Sequence, residues 1–211
     1  AWQRLDGMFA VAIWDRQTRR LTLARDQIGI KPLYYTWQDG RLAFGSELKT
    51  LLALPHLRFD PDLRAVHDYF SFGHVRGPRS IYRRVAVLTP GHVLRLEQDG
   101  QLHIAEFWRP SFRPASARSV TEWIEEFRTA WLVAVRSQML AADVDVGAFL
   151  SGGVDSSAVV ASMARQSDRP IRTFTIGFAE RAYDESPYAE AVASHLGCMH
   201  RTHRIDPQKA C

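Results

Sequence analysis

Short apolar runs separated by polar turns fill the first 108 residues of the chain. Phe9 to Trp14 and Leu21 to Ala24 flank the polar stretch Asp15 to Arg20, a pattern that predicts a β-hairpin. Leu33 to Trp37 and Leu42 to Phe44 flank Gln38-Asp39-Gly40-Arg41, whose Asp-Gly pair tolerates positive φ and predicts a tight turn. A third hairpin is expected from His92 to Leu96 and Leu102 to Ile104 around Asp99-Gly100. Two helices are expected between these strands, Glu47 to Leu54 and Pro61 to Phe72, the second with Asp60 as cap and Pro61 in its first turn.

The pattern then changes. Arg109 to Ala117 holds Pro110, Pro114 and two serines without periodicity, so residues 109–118 read as a linker. Ser119 and Glu122 form a capping-box signature, and Val120, Ile124, Phe127, Trp131, Val135 and Met139 follow at helical spacing. Next come a strand (Val144 to Leu150), a helix (Ser156 to Arg165), a strand (Ile171 to Ile176), a helix (Ser186 to Leu196) and a strand (Met199 to Ile205). That alternation predicts a parallel α/β sheet, so the chain reads as an α+β, β-rich domain (1–108) followed by the opening of an α/β one (119–211). Such sheets commonly hold five or more strands, which makes the chain read as an internal fragment of a longer protein.

Composition narrows the class. The 211 residues are 46% hydrophobic and 24% charged, which excludes a disordered tail or a collagen-like fibre. The longest unbroken apolar stretch, Met8 to Trp14, is too short to span a bilayer. Only Cys198 and Cys211 are cysteines, so no disulfide framework is expected and a cytoplasmic setting is. The 27 basic residues exceed the 23 acidic ones, but arginines are scattered among acids rather than clustered, which argues against a nucleic-acid surface.

The chemistry concentrates in Phe149-Leu150-Ser151-Gly152-Gly153-Val154-Asp155-Ser156-Ser157, where a strand runs into paired glycines and a helix begins. Glycines let the backbone approach a polyphosphate, and the free N–H groups of a helix N-terminus point at it. Three serines add hydroxyls, and Asp155 suits a magnesium ion bridging phosphates. Spacing excludes three other loops. No lysine lies between Lys49 and Lys209 for a Walker A motif, Phe149 stands where a hydrolase elbow needs glycine, and no Gly-x-Gly-x-x-Gly is present.

This segment matches the Ser-Gly-Gly-x-Asp-Ser-Ser loop of the ATP pyrophosphatase (PP-loop) superfamily, and nearly the whole chain resembles glutamine-dependent asparagine synthetases. Leu5 to Ala10, Ala24 to Tyr35, Gly45 to Leu51 and Thr89-Pro90-Gly91-His92 look like the latter half of a class II glutamine amidotransferase domain. Phe174 to Phe178, Asp184-Glu185-Ser186 and His195-Leu196-Gly197 fit the synthetase half, a partial doubly wound sheet. The resemblance implies a ligase in which ammonia released from glutamine travels to a second site and displaces AMP from an aspartyl adenylate. It implies that Ser151, Gly152, Gly153, Ser156 and Ser157 hold the pyrophosphate portion of ATP, that Asp155 binds Mg2+, and that Leu150 and Ile176 flank the adenine. A homodimer is implied as well.

The family's N-terminal glutaminase cysteine and glutamine-holding residues are expected upstream, and later synthetase loops beyond Cys211, so this chain alone is expected to be inactive. The alternatives are a related amidotransferase or β-lactam-synthetase-like ligase acting on another carboxylic acid, and a nucleotide-binding module without turnover. Cys198 is expected to be a packed thiol, and Arg25, Asp26 and Lys31 an ion-paired loop. His195, His200 and His203 straddle a helix-to-strand break and are not expected to converge on a metal.

Overall fold

A computed structural model describes residues 2–112 and 118–205. The chain divides into two compact units, Ala1–Arg113 and Pro114–Cys211. Of the linker expected at 109–118, residues 113–117 lie outside the described residues.

In the first unit, strands β1 (Ala10–Asp15), β2 (Arg20–Arg25), β6 (His92–Leu96) and β7 (Leu102–Glu106) form an antiparallel sheet in the order β1-β2-β6-β7. A second sheet, β4-β3-β5, pairs β3 (Tyr34–Gln38) with β4 (Arg41–Gly45) and with the two-residue β5 (Ala86–Val87). All three expected hairpins are present. Asp39 and Gly40 both take positive φ (49° and 71°), which matches the right-handed twist of the strands they join. Leu23 and Leu94 from the first sheet and Leu33 and Leu88 from loops form one buried cluster. Tyr35 and Leu42 of the second sheet pack against it, so this core joins both sheets.

The helices are shorter than expected. Helix α1 is Leu48–Leu52, and α2 is Leu63–Phe72 with Asp62, not Asp60, as its N-cap. Asp62 accepts from the Arg64 N–H at 2.9 Å, while Pro61 is drawn out of the helix into a bridge with Tyr82.

The Arg25–Lys31 loop also differs from expectation. It is held by backbone ligation rather than by ion pairing. Asp26 is 1% exposed, and its carboxylate accepts from the backbone N–H groups of Phe9, Ile28, Gly29, Ile30 and Lys31 at 2.6–3.3 Å. Arg25 donates to the carbonyls of Lys31, Leu88 and Gly29. The loop is thereby fixed to β1 and to the turn before β6, where Gly91 N–H donates to the Asp26 carbonyl.

In the second unit, β8 (Gly147–Phe149), β9 (Arg172–Gly177) and β10 (Met199–Arg204) form a parallel sheet in the order β10-β9-β8. Helices α4 (Val154–Ala164) and α5 (Ser186–His195) supply the crossovers. Burial alternates along β9: Thr173, Thr175 and Gly177 are covered while Arg172, Phe174 and Ile176 are exposed. Leu150, Val160, Ala189 and Ala193 form the core, with Cys198 packed against it and its thiol pKa raised by burial. Helix α3 (Val120–Leu140) begins with the expected capping box, Ser119 and Glu122 satisfying each other's backbone N–H groups. Its apolar stripe is only partly used. Trp131 donates to the Ser162 hydroxyl of α4 at 2.8 Å, while Val120 and Phe127 stay exposed.

Burial pushes the Asp26 pKa up, but the N–H groups of Lys31, Ile30, Gly29 and Phe9 outweigh it, so the pKa is lowered overall. A lowered folded-state pKa stabilises fully above the unfolded value of about 3.9, and the contribution is lost as pH falls from there through the folded value. Asp26→Asn turns an amide N–H2 toward N–H donors and is expected to cost about 3 kcal/mol or more. Urea midpoints at pH 7 and at pH 3 measure it, and the gap between variant and wild type should narrow at the lower pH.

Candidate active site at the β8–α4 turn

The turn after β8 is built from the backbone outward. Leu150 N–H donates to the Phe174 carbonyl at 2.9 Å, extending the parallel ladder by one residue. The Thr175 hydroxyl donates back to the Leu150 carbonyl, so β9 holds both the N–H and the carbonyl of Leu150. Gly152 then turns the chain with φ +80°. A Cβ there would lie 2.5 Å from the Tyr188 Cβ and 2.7 Å from the Ala189 nitrogen, so the loop rests on the first turn of α5 and only glycine fits.

Gly153 is the N-cap of α4 and offers no side-chain cap. Val154, Asp155 and Ser156 therefore carry N–H groups with no intrahelical acceptor, at the positive end of the helix dipole. Hydroxyls surround them. Ser151 Oγ and Ser156 Oγ lie 2.9 Å apart, the Gly153 N–H donates to Ser151 Oγ, and Ser156 Oγ donates to the Gly153 carbonyl. Ser157 Oγ is buried without a hydrogen-bond partner among the described residues. Asp155, in the first helical turn, is exposed, and its carboxylate has no hydrogen bond or ion pair among the described residues.

Ser151, Gly152, Gly153, Asp155, Ser156 and Ser157 thus come together around one helix N-terminus. Leu150 and Ile176 do not join them in the same way. Leu150 is 1% exposed and sits in the core, whereas Ile176 is 44% exposed on the opposite face of the sheet. What the two offer together is adjacent strand ends. Thr175 and Tyr188, which hold the loop from below, were not singled out by the sequence, because neither is chemically unusual. His200 is engaged by Thr173 and Thr202 through its two ring nitrogens.

Donor N–H groups and hydroxyls around a glycine-lined turn suit a polyphosphate. A magnesium ion fits only in company: no group of three His, Cys, Asp or Glu side chains is assembled among the described residues. One free carboxylate such as that of Asp155 suffices when phosphates and water complete an octahedron of oxygens.

Comparison with known proteins accounts for both units. Residues 1–108 match the glutamine amidotransferase domain family, and residues 126–211 match the asparagine synthase family. The chain belongs to the glutamine-hydrolysing asparagine synthetase family. It is 34% identical over 209 residues to asparagine synthetase [glutamine-hydrolyzing] 1 of Bacillus subtilis, covering 99% of this chain and 32% of that protein. It is 40% identical over 207 residues to a putative asparagine synthetase [glutamine-hydrolyzing] of Mycobacterium bovis, covering 94% of this chain and 31% of that one. A 33% identity over 210 residues relates it to amidase chyE of Penicillium rubens, covering 92% and 30%. The chain therefore spans about a third of the length of these relatives. No helix among the described residues is long and apolar enough to cross a membrane.

Gly152→Ala tests how tightly the turn is seated in this family member. The left-handed conformation alone costs a non-glycine residue about 1–2 kcal/mol, and overlap with Tyr188 adds to it. Amide hydrogen exchange should show faster exchange across residues 150–157 and the first turn of α5, while the sheets of the first unit keep wild-type protection.

Proposed function

We propose that the complete protein carrying this chain is a glutamine-hydrolysing asparagine synthase. Residues 1–108 are the C-terminal part of a class II glutamine amidotransferase domain, 109–118 the linker, and 119–211 the N-terminal part of a doubly wound, PP-loop ATP pyrophosphatase domain. The observation that carries this reading is the Ser151–Ser157 turn: at one helix start lie free N–H groups, a Ser157 hydroxyl and an Asp155 carboxylate that have no partner among the described residues. The family's use of ATP gives that turn its ligand, and the glutamine amidotransferase match gives the reaction its nitrogen.

In the reaction, the side-chain carboxylate of aspartate attacks the α-phosphorus of ATP and releases pyrophosphate. Ammonia from glutamine then attacks the acyl adenylate, giving asparagine and AMP. A free carboxylate is a poor electrophile; adenylation supplies the leaving group. The backbone N–H groups at the start of α4, with Ser151, Ser156 and Ser157, bind the β- and γ-phosphates and stabilise negative charge as pyrophosphate departs. Asp155 holds Mg2+, which when bound neutralises phosphate charge. Leu150 and Ile176 bracket the adenine at the ends of β8 and β9, Leu150 through its backbone because its side chain is in the core. Ligands at strand ends are the rule for open α/β sheets. The enzyme is cytoplasmic and homodimeric in this reading. A second reading keeps the same adenylation and changes the carboxylic acid that undergoes it; the 33% identity to a relative named an amidase keeps the acceptor open.

The test is release of AMP and pyrophosphate by the full-length protein with ATP, Mg2+ and aspartate, with glutamine or ammonium supplied in parallel. Aspartate-dependent release with both nitrogen sources is expected, falling about a hundredfold or more in Asp155→Ala. Ammonium-only activity would mean that the glutaminase half does not turn over. Absence of aspartate dependence with either source would overturn the asparagine assignment and direct a screen of other carboxylic acids.

A further inference from the structure

The turn that carries the phosphate chemistry is seated on α5, so whatever fixes the start of α5 also fixes the turn. Gly152 rests against Tyr188 and Ala189, and Ala189 belongs to the same buried cluster as Leu150. Yet the N-cap position of α5, Glu185, has helical φ and ψ and makes no side-chain cap hydrogen bond. The residue before it does that work. Asp184 Oδ1 accepts from the Ser186 N–H at 3.2 Å, the first residue of α5, and from the Phe178 N–H at 3.3 Å, just beyond the end of β9.

Its burial and two close approaches locate Asp184 beneath the strand ends. Its side chain is 11% exposed, and Oδ2 lies 3.9 Å from Arg204 at the end of β10. A Cβ on Gly177 would come within 3.3 Å of Oδ1, so the β9 end passes directly over the carboxylate. One carboxylate therefore ties the end of β9 to the start of α5 and, through Tyr188 and Ala189, to Gly152.

We propose that Asp184 is a positioning residue that sets the register between the β9 end and the α5 seat of the Ser151–Ser157 turn, and thereby its affinity for the phosphates of ATP. This rests on the reading of that turn as the ATP site. Asp184 touches neither Gly152 nor Ser157 among the described hydrogen bonds; it acts through α5. The donors at the start of α4 must converge on phosphate oxygens within hydrogen-bond range, so a small shift of the seat lowers affinity without removing any donor.

The experiment is direct binding of ATP, and separately of inorganic pyrophosphate, to the full-length protein in Mg2+ by titration calorimetry, with the number of sites and the Kd read independently. Three variants divide the possibilities. Asp184→Asn keeps an oxygen that accepts both N–H groups and is expected to bind within about threefold of wild type. Asp184→Ala is expected to raise both Kd values about tenfold. Asp184→Ser can still cap α5 but is too short to reach Phe178 as well, so it is the variant to use if Asp184→Ala does not fold. It too is expected to raise Kd with the site number unchanged. A purely structural role would lower the number of sites and leave Kd where it was. Wild-type Kd values in the folded serine variant would overturn the positioning role. Failure of the wild-type protein to bind ATP or pyrophosphate would instead overturn the ATP-site reading on which the inference stands.

Discussion

The candidate site depends on one close approach of backbone to backbone. Between β8 and α4 the chain must reverse within a few residues and also lie against α5, and Gly152 meets both demands because it has no Cβ and accepts φ +80°. Everything chemically useful nearby follows. Once Gly152 is down on Tyr188 and Ala189, Gly153 becomes the cap and the next three N–H groups face outward. The Thr175 hydroxyl on the Leu150 carbonyl fixes the other end of the turn. Packing thus places the electrostatics: the first N–H groups of any α-helix lack intrahelical acceptors, and the close approach at Gly152 fixes where those of α4 lie.

The first unit solves a related problem with opposite sign. There a buried carboxylate, Asp26, collects backbone N–H groups from a loop that would otherwise leave them unsatisfied, and Arg25 collects the carbonyls. Burial of a charge is costly, and the lowered pKa of Asp26 shows that the convergent N–H dipoles exceed that cost. Gly29 must be glycine for the same reason as Gly152, since a Cβ would fall 2.6 Å from the Pro90 ring and close on Arg25. In each unit a non-repetitive loop is held in place, by a buried carboxylate that collects its N–H groups in the first and by close packing at a glycine in the second.

Much of this could be read from the residues, and the exceptions have physical causes. The hairpins followed from alternation and from Asp-Gly, and the capping box of α3 from Ser119 and Glu122, because these signals are local. The Ser151–Ser157 turn was legible for the same reason. Asp26 is a backbone ligand and not an ion-pair partner, and adjacency to Arg25 and nearness to Lys31 say nothing of N–H groups that converge only after folding. Asp62 displaced Asp60 as cap because the pairing of Pro61 with Tyr82, a contact across 21 positions, decides where α2 can start. The strand β5 consists of Ala86 and Val87 alone, too short for any periodicity. Leu150 lies one residue past the end of β8 and Ile176 one residue before the end of β9, and their side chains face opposite sides of the sheet, because residue 150 lies opposite 175 rather than 176.

The hydroxyls of the turn are not equivalent, and their present partners say how each would act toward a polyphosphate. Ser151 and Ser156 already bond to each other and to Gly153, so a phosphate oxygen that recruits them exchanges one hydrogen bond for another. The net gain from such an exchange is on the order of 1 kcal/mol, with charge on the acceptor raising it. Ser157 has no such bond to give up, and burial without a partner is unfavourable before any ligand arrives. A phosphate that reaches Ser157 therefore removes a penalty as well as forming a bond. The Ser151–Ser156 pair, meanwhile, holds the curvature of the turn, and toward a polyphosphate that would lower the ordering cost of binding. Ser151 and Ser156 bond to each other across the turn, and the Ser157 hydroxyl is buried without a partner among the described residues. The division follows from Gly152 resting on α5, which brings Ser151 back over the start of α4.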